Sequence, residues 1–258
     1  MRYKSSIGLR PEHWQELIGL ICEQVEWNRP VGRPHALDLS TAVRVTLLYN
    51  HTNLAQEVIA EIYGVSQRTI SRMVIALTEL IAEVTARFVP SFADLTAAAT
   101  GKVVVVDGTL CPCWSWAGHH ELWSGKHKTT GHNIQVVCDL DGHLLWMSDP
   151  YPGNVHDAKA FRNLRLDTIL DPSNAIADKG YIGVGITTPI RKPAGGHLTG
   201  ADEQWNAAIA AYRAVIEQKN AHIKTWRTLH TDYRRPLRSF PQTYAAIRGL
   251  MFFRDSFD

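Results

Sequence analysis

Lys102-Val103-Val104-Val105-Val106-Asp107-Gly108-Thr109 is the stretch whose reading decides the fold. Its run of β-branched residues predicts a buried strand over Lys102–Asp107, central in a sheet. A carboxylate that ends such a strand lies at the end of the sheet, where a ligand can reach it. Burying it there is costly unless something compensates the charge. An aspartate before Gly108-Thr109 is also ordinary turn equipment, so Asp107 alone decides nothing.

Downstream the same form returns. Ala175-Ile176-Ala177 runs into Asp178, followed by Lys179-Gly180-Tyr181, and Gly180 admits a sharp turn or a close backbone approach. If the two strands are parallel neighbours, both acids fall at one sheet end. His132–Asp139 and Leu144–Ser148 flank Asp141-Gly142 and predict a hairpin. Ile186–Arg191 reads as a fifth strand, and His156–Leu164 as a helix between hairpin and fourth strand. Residues 202–229 contain neither Gly nor Pro and predict one long helix. At 100° per residue, Glu217 and Asn206, Asn220 and Lys224 fall within about 40° of Arg213, on one stripe. Exposed i,i+4 pairing explains Arg213 and Glu217 equally well, but not the two asparagines. Residues 241–253 predict a last helix.

Upstream the pattern is helical: 11–26 with Pro at its first position, then 39–50, 54–63 and 66–82. Trp27–Pro34 reads as an arm or linker carrying Arg29 and Arg33, with a minor groove as one use for it. Between Gln56 and Met73, Ala60 is small, Gly64 permits a tight turn, Ser66 can cap, and Ile70 packs back. That spacing predicts a helix-turn-helix within about residues 54–82. Its second helix would offer Gln67, Arg68, Ser71 and Arg72 to the major groove; a plain helical hairpin would show the same residues to solvent. The composition change near residues 90–100 divides the chain into a helical segment, 1–95, and a mixed segment, 100–255.

Bulk properties exclude little but are useful. The chain is 45% hydrophobic and 20% charged, as in a soluble globular protein. A net charge of +2 does not by itself argue for nucleic acid. No stretch approaches the roughly 20 apolar residues of a membrane span. Four cysteines and no secretory start imply reduced thiols in the cytoplasm. Cys111-Pro112-Cys113 with His119 and His120 fits no standard zinc module. Trp114, Trp116 and Trp123 fit packing under a loop better than stacking on an unpaired base.

On these residues the chain resembles the DDE transposases, in the branch of Harbinger-type elements and small bacterial insertion sequences. The matching motifs are VVVVDGT (Val103 to Thr109), SGKHKTTGHNIQ (Ser124 to Gln135), PGNVHDAKAF (Pro152 to Phe161), ADKGY (Ala177 to Tyr181) and R-x3-E-x6-K (Arg213, Glu217, Lys224). The resemblance implies an RNase H-like fold: a mixed five-stranded sheet, three antiparallel strands then two parallel, flanked by helices. An N-terminal helix-turn-helix domain precedes it. It implies that Asp107, Asp178 and Glu217 are the catalytic and metal-binding triad for two Mg²⁺ or Mn²⁺ ions. Asp107 would bridge both ions, with oxygen ligands suited to hard cations. Arg213, Lys224 and Lys179 are then phosphate contacts, with Lys126 and Lys128 as further candidates. His156-Asp157 is a supporting pair outside the triad, and Asp157 also fits a helix cap. The implied partners are double-stranded transposon ends and target DNA, bound by a homodimer or larger assembly in the cytoplasm at the nucleoid. The alternatives are a transposase-derived DNA-binding protein without strand transfer, and an unrelated metallohydrolase.

Overall fold

The structure is a computed structural model and describes residues 3–27, 34–114 and 117–257. The chain divides into two compact units: residues 1–89 with 223–258, and residues 90–222. The arginines of the arm, Arg29 and Arg33, lie outside the described residues.

The first unit begins with five helices, α1 (Tyr3–Ile7), α2 (Pro11–Gln24), α3 (Leu39–Thr52), α4 (Gln56–Tyr63) and α5 (Gln67–Thr85). Asp38 caps α3 by accepting from Thr41 N at 3.0 Å. Between α4 and α5, Gly64 takes a left-handed φ of 65°, which a side chain would resist. Ser66 then caps α5 through Thr69 N. Ala60 and Ile70 are both buried, so the short helix and its successor pack as the spacing requires.

The second unit opens with α6 (Phe92–Ala99), a helix the sequence reading did not anticipate. It starts on a capping box in which Ser91 and Asp94 bond each other's backbone. There follow β1 (Val104–Pro112), β2 (Trp123–Ser124), β3 (Thr129–Asp139), β4 (Leu144–Met147), β5 (Tyr151–Pro152), α7 (Asp157–Asn163), α8 (Leu166–Ile169), β6 (Ala175–Ile176) and α9 (Gly200–Ile223). They form a mixed sheet with helices. β3 pairs antiparallel with β1 on one side and with β2, β4 and β5 on the other. β6 pairs parallel with β1, and Thr187 adds one parallel bridge to Ile176. One face of this sheet is covered by α6, α7 and α8 around Leu95, Val104, Val106, Val137, Phe161 and Tyr181.

Two expectations change here. β1 does not end at Asp107 but continues to Pro112, because Gly108–Pro112 keep their pairing to Gly131–Gln135. Asp107 is therefore mid-strand; it is β6 that stops. The fifth strand reduces to the bridge at Thr187, since Pro189 offers no amide for a ladder. Asn206 instead clamps Ile190, accepting from its N at 2.7 Å and donating to its O at 3.1 Å.

The chain then returns to the first unit. The long helix stops at Ile223, short of residue 229, because Trp226 is drawn into the helical core against the His51 ring, 5.2 Å away. Thr228 seals the turn by donating to Asn50 O at 2.7 Å. Helix α10 (Phe240–Asp255) lies against α5. Residues 223–255, assigned from sequence to the mixed segment, thus belong with the helices. No helix among the described residues is long and apolar enough to cross a membrane.

Candidate active site

Strand register brings the first two acids together. Val104 pairs with Ala175 and Val105 with Ile176. Two further steps along both chains set Asp107 level with Asp178. β6 ends before Asp178, which caps the following 3-10 turn by accepting from Gly180 N at 2.7 Å. The two carboxylates thus meet where the parallel partner of β1 runs out.

Glu217 sits on α9, which approaches from the Asp107 side. Asn220, one turn further along, donates to Asp107 Oδ2 at 2.8 Å. Arg213, one turn before, stands 3.9 Å from Glu217 and its charge acts on Asp107. Three stripe members therefore serve one place: Arg213, Glu217 and Asn220. Glu217 keeps 64% of its side chain exposed. Lys224 lies past the end of α9 and in the other unit, so helical angle does not carry it into this group.

Asp157 enters the same place and is not a helix cap. His156 holds the cap position of α7, is exposed and makes no side-chain cap bond. Asp157 is only 6% exposed. Its carboxylate accepts from Lys126 Nζ at 2.7 Å and Asn133 Nδ2 at 2.9 Å, with Gln135 Nε2 at 3.5 Å. Gln135 in turn accepts from the buried Tyr181 hydroxyl at 2.6 Å. Lys126 also stands 3.8 Å from Asp178 Oδ2. Asn133, Gln135, Tyr181 and Asn220 were not named as site residues from sequence. The signal was present for the first two: polar residues at alternate positions flanking the apolar Ile134 of a strand.

The electrostatics are those of a site short of positive charge. Burial pushes the Asp107 carboxyl up to about 6; Arg213 and Lys126 oppose that rise, and Asp178 and Asp157 add to it. Burial would lower Lys126, but its bond to Asp157 and the charges of Asp157, Asp178 and Asp107 raise it. Lys179 is exposed beside Asp178.

Other polar groups stand elsewhere. Asp139, Asp141 and His143 are the one described group whose ligand atoms all lie within 4.8 Å of one another. Asp139 there organises the turn, accepting from Asp141 N, His143 N and His143 Nδ1. Asp107, Asp178 and Glu217 are not drawn together that tightly. Cys111 and Cys113 are buried and free of disulfides, and His119 pairs with Glu121. Trp114 and Trp123 are about half exposed, at 49% and 50%, rather than packed under a loop; Trp116 lies outside the described residues. On the first unit, Gln67, Arg68 and Arg72 are exposed and Ser71 half-buried.

Asp107 level with Asp178 in a mixed sheet, with a charged helix beside them, makes an acidic place able to hold cations. The chain belongs to the DDE superfamily endonucleases, whose family model matches residues 106–251 and so spans both acids, Lys126, Asp157 and Glu217. It is 29% identical over 225 residues to a protein of Streptomyces albus G named as a transposase for insertion sequence element IS112, covering 86% of this chain and 83% of that one. A protein of Microchaete diplosiphon named as a transposase for insertion sequence element IS702 is 22% identical over 258 residues, 96% of this chain and 92% of the relative. The human protein named as nuclease HARBI1 is 24% identical over 225 residues, 80% of this chain and 62% of its own length. No solved structure matches the chain.

Proposed function

We propose that this endonuclease is a DNA transposase, which binds the repeats at the ends of its element and cuts and rejoins strands with divalent metal ions. The observation that carries this reading is the parallel register that sets Asp107 level with Asp178 inside the family-matched region. The sheet order, antiparallel strands followed by a parallel one, supports an RNase H-like catalytic unit. Asp107, Asp178 and Glu217 are the residues that would hold two Mg²⁺ or Mn²⁺ ions. The donor set fits: hard oxygen ligands around a buried carboxyl that lacks a full counter-charge. When bound, such ions supply a nucleophile at neutral pH and stabilise the leaving oxygen.

The chain's own side chains do the rest. Asn220 fixes the Asp107 carboxylate through its amide. Arg213 and Lys126 bring positive charge to the acids and to a phosphate lying between them. Lys179 extends the phosphate contacts, and His156 and Asp157 support the site. In the helical unit, the α4–Gly64–α5 pair is read as a DNA-binding helix-turn-helix, presenting Gln67, Arg68, Ser71 and Arg72 to the major groove. Joining two ends calls for at least two protomers, acting in the cytoplasm on nucleoid DNA.

The test is nicking of a labelled duplex taken from the inverted repeats flanking the coding region, with Mg²⁺ or Mn²⁺. Cleavage at the repeat terminus is expected from the wild type and none from Asp107→Asn. Equal cleavage by the two would remove Asp107 from the chemistry. Sequence-specific binding without product in either metal would leave a DNA-binding descendant of a transposase.

A further inference from the structure

Each strand acid is followed closely by a glycine: Asp107-Gly108 and Asp178-Lys179-Gly180. Neither glycine has a positive φ, so a left-handed turn does not account for them. At Gly108 a third element does, and at Gly180 it stands second to Asp178 itself. A β-carbon on Gly108 would overlap Oδ1 of Asp157 and lie 2.6 Å from its Cγ. One on Gly180 would lie 2.8 Å from Asp178 Oδ1 and 3.3 Å from Asp157 Oδ2. The Asp157 carboxylate is wedged between the two acid-bearing segments, and both segments are bare of side chains where it passes.

A carboxylate this buried must be compensated, and Lys126 with Asn133 does so. The pair is lopsided in exposure. Asp157 keeps 7% of its side chain exposed, but Lys126 keeps 45%. Packing alone would be served as well by apolar side chains of the same volume. What the pair adds is a fixed ammonium at the open edge of the site, 3.8 Å from Asp178 Oδ2. One of its three donors is spent on Asp157.

We propose that Lys126 contacts a DNA phosphate beside Asp178, and that Asp157 is the positioning residue that holds Lys126 there. The assignment rests on the transposase reading for its substrate but not for its geometry. In this arrangement both Asp157 oxygens accept hydrogen bonds, one from Lys126 and the other from Asn133.

The test uses the full chain, the flanking-repeat duplex and Mn²⁺. Lys126→Met should slow nicking at saturating Mn²⁺ by about 100-fold, the usual loss of one preorganised donor. Lys126→Arg, which keeps the charge, should stay within roughly tenfold of the wild type. Lys126→Met changes a half-exposed side chain, so its melting temperature should hold. Asp157→Asn should also slow nicking, and the double variant should be no slower than Lys126→Met alone. Mn²⁺ titration gives the second readout. Lys126→Met should bind Mn²⁺ at least as tightly as the wild type, because a cation has been removed from beside Asp178. Adding Asp157→Asn to it should change that affinity by less than about twofold.

Multiplying effects in the double variant would overturn the proposal, as would loss of Mn²⁺ binding on adding Asp157→Asn. If the wild type binds the duplex without cutting it, affinity decides instead. Lys126→Met and Asp157→Asn must then each reduce the salt slope by about one, and together by no more. In that case the transposase reading falls and the Lys126–Asp157 pair stands. A chain that neither cuts nor binds the duplex refutes both.

Discussion

Asp107→Asn should make the metal-free protein more stable, in a way that depends on pH. The Asp107 carboxyl ionises near 6 in the folded chain, against an ordinary value of 3.8, and burial is the largest cause. The folded state therefore keeps a proton that the unfolded state has already lost. Stability contributed by this group is present below pH of about 4 and falls as pH rises through about 6. Above that window the ionised carboxylate costs the fold about 3 kcal/mol, at 1.36 kcal/mol per tenfold change in the proton equilibrium. Asparagine has nearly the same shape, keeps an oxygen to accept from Asn220, and carries no charge. Thermal unfolding in chelator, followed by circular dichroism, measures the difference. The two proteins should melt together near pH of about 4, and the variant should melt higher by roughly 6–12 °C at pH of about 7.5. With Mn²⁺ added, the wild type should gain stability from binding and the variant should not. A pH-independent difference, or a variant that is the less stable at neutral pH, would refute this account of Asp107.

Three further outcomes follow from named contacts. Gly108→Ala drives a methyl into the Asp157 carboxylate, so it should cost about 1–3 kcal/mol in denaturant titrations and lower nicking, through displacement of Lys126. Tyr181→Phe leaves the buried Gln135 carbonyl without its 2.6 Å donor, and should cost about 1–3 kcal/mol in the same titrations. Arg68→Ala and Arg72→Ala remove exposed cations from α5, and each should weaken repeat binding and lower the salt slope by about one in electrophoretic shifts. Unchanged affinity in both would take DNA recognition away from the α4–α5 pair.

The elements legible in the sequence were those whose cause is local. Pro11, the Gly64 turn, the Ser66 cap and the β-branched run before Asp107 each act within a few residues, and the helices and strands they announce are where the pattern puts them. The capping box at Ser91 and Asp94 is equally local and was readable, but Pro90 beside it suggested only a break. What escaped depends on partners distant in sequence. β1 runs past Asp107 because Gly108–Pro112 stay paired to Gly131–Gln135 of β3. The long helix stops at Ile223 because Trp226 has a place in the helical core, and no feature of residues 202–229 announces that.

The site divides along the same line. Asp107 and Asp178 could be paired from strand form alone, and the register agrees. Asp157 could not, because an acid ahead of a short helix has an ordinary role as a cap, and only burial by three other elements distinguishes it. Yet its trace lies in the sequence, in residues that are missing side chains rather than in residues that carry them. Gly180 was read as admitting a sharp turn or a close backbone approach, Gly108 only as following a turn acid, and neither has a positive φ. At Gly108 the Asp157 carboxylate occupies the space a β-carbon would take, and at Gly180 a β-carbon would meet the Asp178 carboxylate first and Asp157 second. The glycine after Asp107 thus marks where a third group presses on the acid-bearing strand. In this chain that group arrives with a lysine attached.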